Sequence, residues 1–200
     1  MSNLSKRELI LKVATKHFAE YGYDKTVLDN IAKECNISKP AIYYHFRDKK
    51  SLYKEIICDF FRRVSKEIEE QIKETNPILA LEAYVKIFGS FFLKEPHFSS
   101  IFAKELAFGS SSIQECVSML YLVLEKLTKI LEDGFKLGVF EKENPFMIQL
   151  MIVSTLTNYH TTKKLRSNIS LKFQTSLELE PSLENIAETL AQKILKAVKC

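Results

Sequence analysis

Residues 26–46 read TVLDNIAKECNISKPAIYYHF, and this stretch decides the fold. Thr26 opens a short helix, its hydroxyl placed to cap amides near Asp29, and Ile31 and Ala32 point inward before the helix ends near Cys35. Asn36 is one of the few non-glycine residues that tolerates the left-handed backbone of a sharp turn. Ser38 then caps a second helix with Pro40 in its first turn, where a missing N–H costs nothing. This helix ends near His45 or Phe46. Two short helices across a tight turn make a helix-turn-helix, with Ile31, Ala32, Ile37 and Ile42 packing it and small Ala32 permitting a close crossing.

The outward side of the second helix carries Lys39, Pro40, Ala41, Tyr43, Tyr44 and His45. That mixture suits a DNA major groove. Lys39 donates to guanine or phosphate, Pro40 and Ala41 offer apolar contact to a thymine methyl, and the tyrosine hydroxyls and His45 reach phosphate oxygens. Lys49 adds a cation at the next helix N-terminus, on the same phosphate track. Any one tyrosine, taken alone, could equally pack the head, and Lys49 with Lys50 alone would be a solvated pair. The caps, spacing and charge together favour double-stranded DNA.

Outward from the motif, the chain reads as helix throughout. Ser5-Lys6-Arg7-Glu8 is a capping-box pattern, followed by Ile10, Val13, Ala14, His17, Phe18 and Tyr21 at helical spacing, with Gly22 as the stop and His17 as a core histidine. Asp48 caps a long helix with Leu52, Ile56, Phe60, Val64, Ile68 and Ile72 every four residues, extending about 26 residues to near position 75. Further helices are expected at about 78–94, 97–108, 112–136, 145–166 and 183–198, with Ser167–Pro181 as a loop. Only five Gly and five Pro among 200 residues fit an all-α chain.

The net charge of +4 is unevenly distributed. Residues 1–54 hold eleven Lys/Arg against six Asp/Glu, whereas residues 55–200 hold eighteen against nineteen. Such a basic head points to a polyanionic partner. Twelve of the fourteen Phe lie beyond residue 54, so the body is aromatic and nearly neutral. The four widely spaced cysteines fit a reduced, cytoplasmic protein, with Cys58 and Cys116 as small apolar residues and Cys200 exposed. Neither a signal peptide nor a membrane span is expected, since Arg7, Lys12 and Lys16 interrupt the early apolar runs and Phe146–Leu156 is too short. Without a GxGxxG, P-loop, HExxH, GxSxG or paired-carboxylate metal motif, no catalytic residue, metal site or cofactor is assigned.

The first 54 residues resemble the DNA-binding head of TetR-type bacterial transcriptional regulators. The resemblance rests on Phe18-Ala19-Glu20-Tyr21-Gly22-Tyr23, Thr26, Ile31-Ala32, Ile37-Ser38-Lys39, Ile42-Tyr43-Tyr44-His45-Phe46, Lys49 and Leu52-Tyr53. Asn36 stands where glycine is usual, and Pro40-Ala41 replaces a frequent Gly-Thr or Gly-Ala pair. Glu132 to Phe140 also looks like the family's turn before the first interface helix. The resemblance implies an all-α, Ω-shaped homodimer with a helix-turn-helix domain over 1–48 and a helical ligand-binding and dimerisation domain over 49–200. Its interface helices would be about 145–166 and 183–198. It further implies a repressor released from a palindromic operator by a small-molecule effector.

An aromatic-walled pocket of Phe88, Phe91, Phe92, Phe102, Phe108, Tyr121 and Phe135, with Phe98 nearby, would suit an apolar or aromatic effector. The same residues also read as ordinary core. The alternative role is a DNA-bound scaffold that recruits a protein instead of sensing a ligand.

Overall fold

The computed structural model describes residues 4–73, 76–108, 114–173 and 182–200. It is built from α-helices: α1 (Lys6–Lys25), α2 (Leu28–Glu34), α3 (Lys39–His45), α4 (Lys49–Gln71), α5 (Pro77–Lys94), α6 (Pro96–Phe108), α7 (Val117–Lys136), α8 (Pro145–Thr161), α9 (Lys163–Phe173) and α10 (Leu183–Val198). Among the described residues the only extended pairing is an isolated bridge between Phe140 and Lys199.

The head is α1 to α3. Its capping box forms as the sequence predicts: Ser5 Oγ accepts from the Glu8 amide, while the Glu8 carboxylate accepts from the Ser5 amide at 2.8 Å. Ile10, Ala14, Phe18, Ile31, Ala32, Ile42 and Phe46 are buried, and Ile37 packs against them half-buried. Helix α1 does not stop at Gly22. The chain kinks there at φ 78°, a conformation a side chain would disfavour, and one more helical turn carries it to Lys25. Asn36 adopts φ 58°, the left-handed turn its residue type permits.

Two caps differ from expectation. Val27, not Thr26, precedes α2, and no side chain caps that helix. Thr26 is buried, and its hydroxyl instead donates back to the Gly22 carbonyl at 2.6 Å. Ser38 occupies the N-cap of α3 but makes no capping hydrogen bond there.

Helix α4 joins head to body. Asp48 accepts from the Ser51 amide at 2.6 Å, and Leu52, Ile56, Phe60, Val64 and Ile68 are buried along one stripe. The helix ends at Gln71, short of position 75, and residues 74–75 lie outside the described residues. In the body, α5 packs most extensively on α10, with Gly89 and Ala187 in contact where a side chain on Gly89 would not fit. The Glu132–Phe140 turn closes as Phe140 lays its ring on Gly134, leaving no room for a Cβ there.

Three expectations for the body are corrected. Helix α7 begins at Val117 rather than near 112. The helix expected over 145–166 breaks at Thr162, and α9 then carries helix through to Phe173, into the stretch expected as loop. Apolar Leu165, Ile169 and Leu171 are largely solvent-facing on α9, so they give no core-facing period from which to read a helix. The rest of that stretch, 174–181, is outside the described residues.

The third correction concerns cysteine. Cys58 and Cys116 are joined in a disulfide, with Cα atoms 5.4 Å apart, so they are not independent small apolar residues. A separation of 58 positions gives no sequence motif for the pairing. Only the packing of α7's start on α4 brings the two together. Cys35 is a buried free thiol, with its pKa raised by burial, and Cys200 is exposed.

Candidate nucleic-acid interface

Helix α3 is held from behind and open in front. Ile42 and Phe46 anchor it in the head core, leaving Tyr44 85% exposed and Tyr43 47% exposed on the outer side. Pro40 is exposed and Lys39, Ala41 and His45 half-buried beside them. Tyr44 and His45 meet edge-to-face at 5.1 Å. Ser38, Lys39, Pro40, Ala41, Tyr43, Tyr44 and His45 are therefore brought together at one end of the head, on a helix whose two-turn length limits its reach to a few base pairs.

The two lysines are already engaged. Lys39 Nζ pairs with Asp29 at 2.8 Å, and this carboxylate raises its pKa. Lys49 Nζ donates to the Asp24 carbonyl at 3.1 Å and lies 4.7 Å from the centre of the Tyr23 ring. Both pairs are at the surface, where such contacts are weak and a phosphate competes for the ammonium. Thr26 stands apart from this set, because its hydroxyl is turned inward to α1 carbonyls.

Behind the surface, the head is braced to the body. Tyr53 of α4 contacts Phe18 and Tyr23 edge-on, at 4.9 and 5.1 Å. Its hydroxyl donates to Glu105 of α6 at 2.8 Å, and burial pushes the phenol pKa up. Lys104 donates to the Ala19 carbonyl at 3.2 Å, tying α6 to α1. His17 is buried, as expected, and its Nε2 lies 2.8 Å from Glu34. The Glu34 carboxyl is held below its usual range by Lys16 first and His17 second. None of these contacts beyond α3 had a motif in the sequence; they follow from the packing of α1 on α2, α4 and α6.

Among the described residues, the aromatic set of the body is divided between core and surface. Phe88, Phe92 and Phe102 are buried in the core, and Phe91 is half-buried against it. Phe60 stacks on Phe98 at 3.6 Å, and Phe98 on Phe102 at 5.5 Å. Tyr121 and Phe135 lie at the surface. Of Phe108 only the backbone is among the described features.

Two open clefts lie elsewhere. One, about 460 Å³, is lined by Ile72, Ala80, Ile130 and four lysines: Lys73, Lys126, Lys129 and Lys136. The other, about 440 Å³, lies between α1, α4 and the α5–α6 junction, with Leu11, Ile56 and Phe98 inside and Lys12, Arg63 and His97 among the lining. Among the described residues no His, Cys, Asp and Glu group is placed to hold a metal, and no helix is long and apolar enough to cross a membrane.

A helix-turn-helix presented on a basic three-helix head and fused to a helical body defines a DNA-binding transcriptional regulator. Residues 10–56 match the family described as bacterial regulatory proteins, tetR family, so the head of the chain carries that family's DNA-binding domain. It is 27% identical to the uncharacterized HTH-type transcriptional regulator YhgD of Bacillus subtilis strain 168, over 72% of this chain and 76% of that protein. Over 55 residues it is 47% identical to IcaR of Staphylococcus aureus strain Newman, the HTH-type negative transcriptional regulator of the biofilm operon icaADBC. That match spans 27% of this chain and 30% of IcaR. The fold is shared with the transcriptional regulator FadR of Bacillus subtilis, solved in complex with stearoyl-CoA. The TM-score is 0.72 at 18% identity, covering 95% of this chain and 98% of that one.

Proposed function

We propose that the protein is a homodimeric repressor whose head, residues 1–48, reads a pseudo-palindromic operator, and whose body, residues 49–200, responds to a small apolar or aromatic molecule. The observation that carries the reading is the outer face of α3, where Lys39, Pro40, Tyr43 and Tyr44 stand free of the core that fixes the helix. One such helix covers too few bases for useful specificity, so two heads act together, spaced by about one turn of DNA or a multiple of it. Ser38, Ala41, His45 and Lys49 complete the contact set, and Thr26 serves it by fixing α2 against α1.

Support for a dimer comes from α8, which exposes Phe146, Met147, Leu150 and Met151 along one side. A contiguous apolar face of this kind marks an interaction surface. In the seam expected over 145–166 and 183–198, α8 supplies the apolar part, while α10 turns Glu188, Gln192 and Lys196 outward. Repression is supported by IcaR being a negative regulator and effector sensing by FadR being solved with stearoyl-CoA. An effector reaching Phe88, Phe91, Phe92 or Phe102 must part rings that are packed together. The exposure of Tyr121 and Phe135 favours the second reading, a DNA-bound scaffold that recruits a protein through this surface.

The test is selection of duplexes from a random library, followed by footprinting. Recovery of an inverted repeat, protected by a dimer, is the expected result. Sedimentation as a monomer at micromolar concentration, with undiminished affinity for the selected duplex, overturns the dimer. A screen for compounds that raise the thermal midpoint separates sensor from scaffold, since a ligand bound only to the native state stabilises it by mass action. A stabilising compound that leaves operator affinity unchanged would favour the scaffold.

A further inference from the structure

Three contacts fasten the start of α7 to one ridge of α4. Lys50, Lys54 and Cys58 lie at successive four-residue steps on α4, so they share a face. Glu115 pairs with Lys50 at 3.1 Å and with Lys54 at 3.0 Å, and Cys116 forms the disulfide to Cys58. Hydrogen bonds from Lys54 and then Lys50 hold the Glu115 carboxyl below its ordinary pKa. The ridge begins in the first turn of α4, next to Lys49 and to the head that carries α3. The exposed ion pairs alone are weak and easily exchanged for water or phosphate. The disulfide is the one covalent element of the clasp.

Proteins that act on DNA work where cellular thiols are kept reduced, so a disulfide there is conditional rather than permanent. We propose that Cys58 and Cys116 form a thiol–disulfide switch that weakens DNA binding when oxidised. This rests on the DNA-binding reading above. In the oxidised form the clasp holds the Glu115 carboxylate against Lys50 and Lys54, so that their charge adds less to the positive field of the head. Reduction releases Cys116 and Glu115 from α4, and both ammonium groups are freed to face a polyanion.

The oxidant class is a hydroperoxide. Cys58, at 7% exposure, is the less deeply buried of the two residues, Cys116 being at 0%, and is taken as the one that meets the oxidant. The Cys58 thiolate attacks the peroxide, the O–O bond breaks, and a sulfenic acid forms as hydroxide or alkoxide leaves and takes up the proton the thiol gave up. The Cys116 thiolate then attacks that sulfur, the S–O bond breaks, and the oxygen leaves as water with a proton. The sulfur pair loses two electrons, the peroxide gains them, and a cellular dithiol reverses the change by exchange.

The test uses the full chain with Cys200→Ser, so that the exposed terminal thiol forms no intermolecular bond. Alkylation in denaturant is expected to label three thiols after dithiothreitol and one, Cys35, after hydrogen peroxide. Binding to a random-sequence 30-bp duplex, titrated with salt, should be about threefold to tenfold weaker for the oxidised form, with a salt slope smaller by up to about two per protomer, one for each lysine. Cys116→Ala should bind as the reduced form does, whether or not peroxide is added. Glu115→Gln should still form the disulfide, yet lose most of the difference between the two forms. Three labelled thiols persisting after peroxide, or equal binding by both forms of the parent chain, overturns the switch. If neither form binds duplex even at low salt, the DNA-binding reading fails and the switch falls with it.

Discussion

The outer face of α3 and the aromatic core below it have opposite physical characters. In the head, polar and aromatic side chains are held out into solvent by a few buried anchors, so each is replaceable without loss of the fold. In the body, Phe60, Phe61, Phe92, Phe98 and Phe102 are packed ring against ring, and stability depends on their exact fit. The proposed reading face therefore sits where the fold is least committed. Tyr53, through Phe18 and Tyr23, and Lys104, through the Ala19 carbonyl, join the head to the body.

The largest effect is expected from the core. Phe60→Ala removes a fully buried ring that stacks on Phe98, and should cost about 3–5 kcal/mol, as deletions of buried aromatics do. Chemical denaturation measures it, and a loss below about 1 kcal/mol would show that the core is loose enough to collapse around the gap.

Next come substitutions on the reading face, which should leave stability nearly unchanged. Lys39→Ala and Tyr44→Phe are each expected to weaken operator binding by about 1–3 kcal/mol. Lys49→Ala should weaken specific and random duplexes alike and lower the salt slope by about one per protomer. Footprinting of all three at parental strength would move the reading face elsewhere.

A smaller effect sits on the boundary. Asp48→Ala removes the cap of α4 and should cost about 1 kcal/mol, read as a lower thermal midpoint. If that loss appears in an early partial transition, the head unfolds separately from the body. A single shifted transition means they unfold together.

The smallest concerns pH. Burial holds the His160 pKa below its ordinary 6.5, despite the nearby Phe92 carbonyl at 3.0 Å. A base with a depressed native pKa binds fewer protons folded than unfolded. Its stabilising contribution is therefore present above about pH 6.5 and lost as pH falls through the lowered value. His160→Gln should flatten that part of the stability curve between pH 7.5 and 5. Parallel curves for variant and parent would remove His160 from the account.

The head was legible because its signals are local. Ser5 with Glu8, Asn36 before Ile37, Pro40 just inside α3 and Asp48 before α4 each act on backbone within a turn or two. The charge excess over residues 1–54 needs no folding to be seen. Where reading failed locally, two groups competed for one hydroxyl: Thr26 chose the carbonyls of α1 over the amides of α2.

The body was legible only in outline. Its helix breaks follow Pro77, Pro96 and Pro145, but whether Phe102 fills core or lines a cavity depends on how α4, α5 and α6 cross. The exposure of Tyr121 and Phe135 depends likewise on which face of α7 meets α4. Sequence alone determined the helical class, the helix-turn-helix and the basic head, since capping, turn conformation and net charge act through neighbouring residues. Tertiary structure alone decided the filled aromatic core, the head–body braces and the Cys58–Cys116 bond. Each of those joins groups tens of residues apart, and only the packing of one helix on another brings such groups within reach.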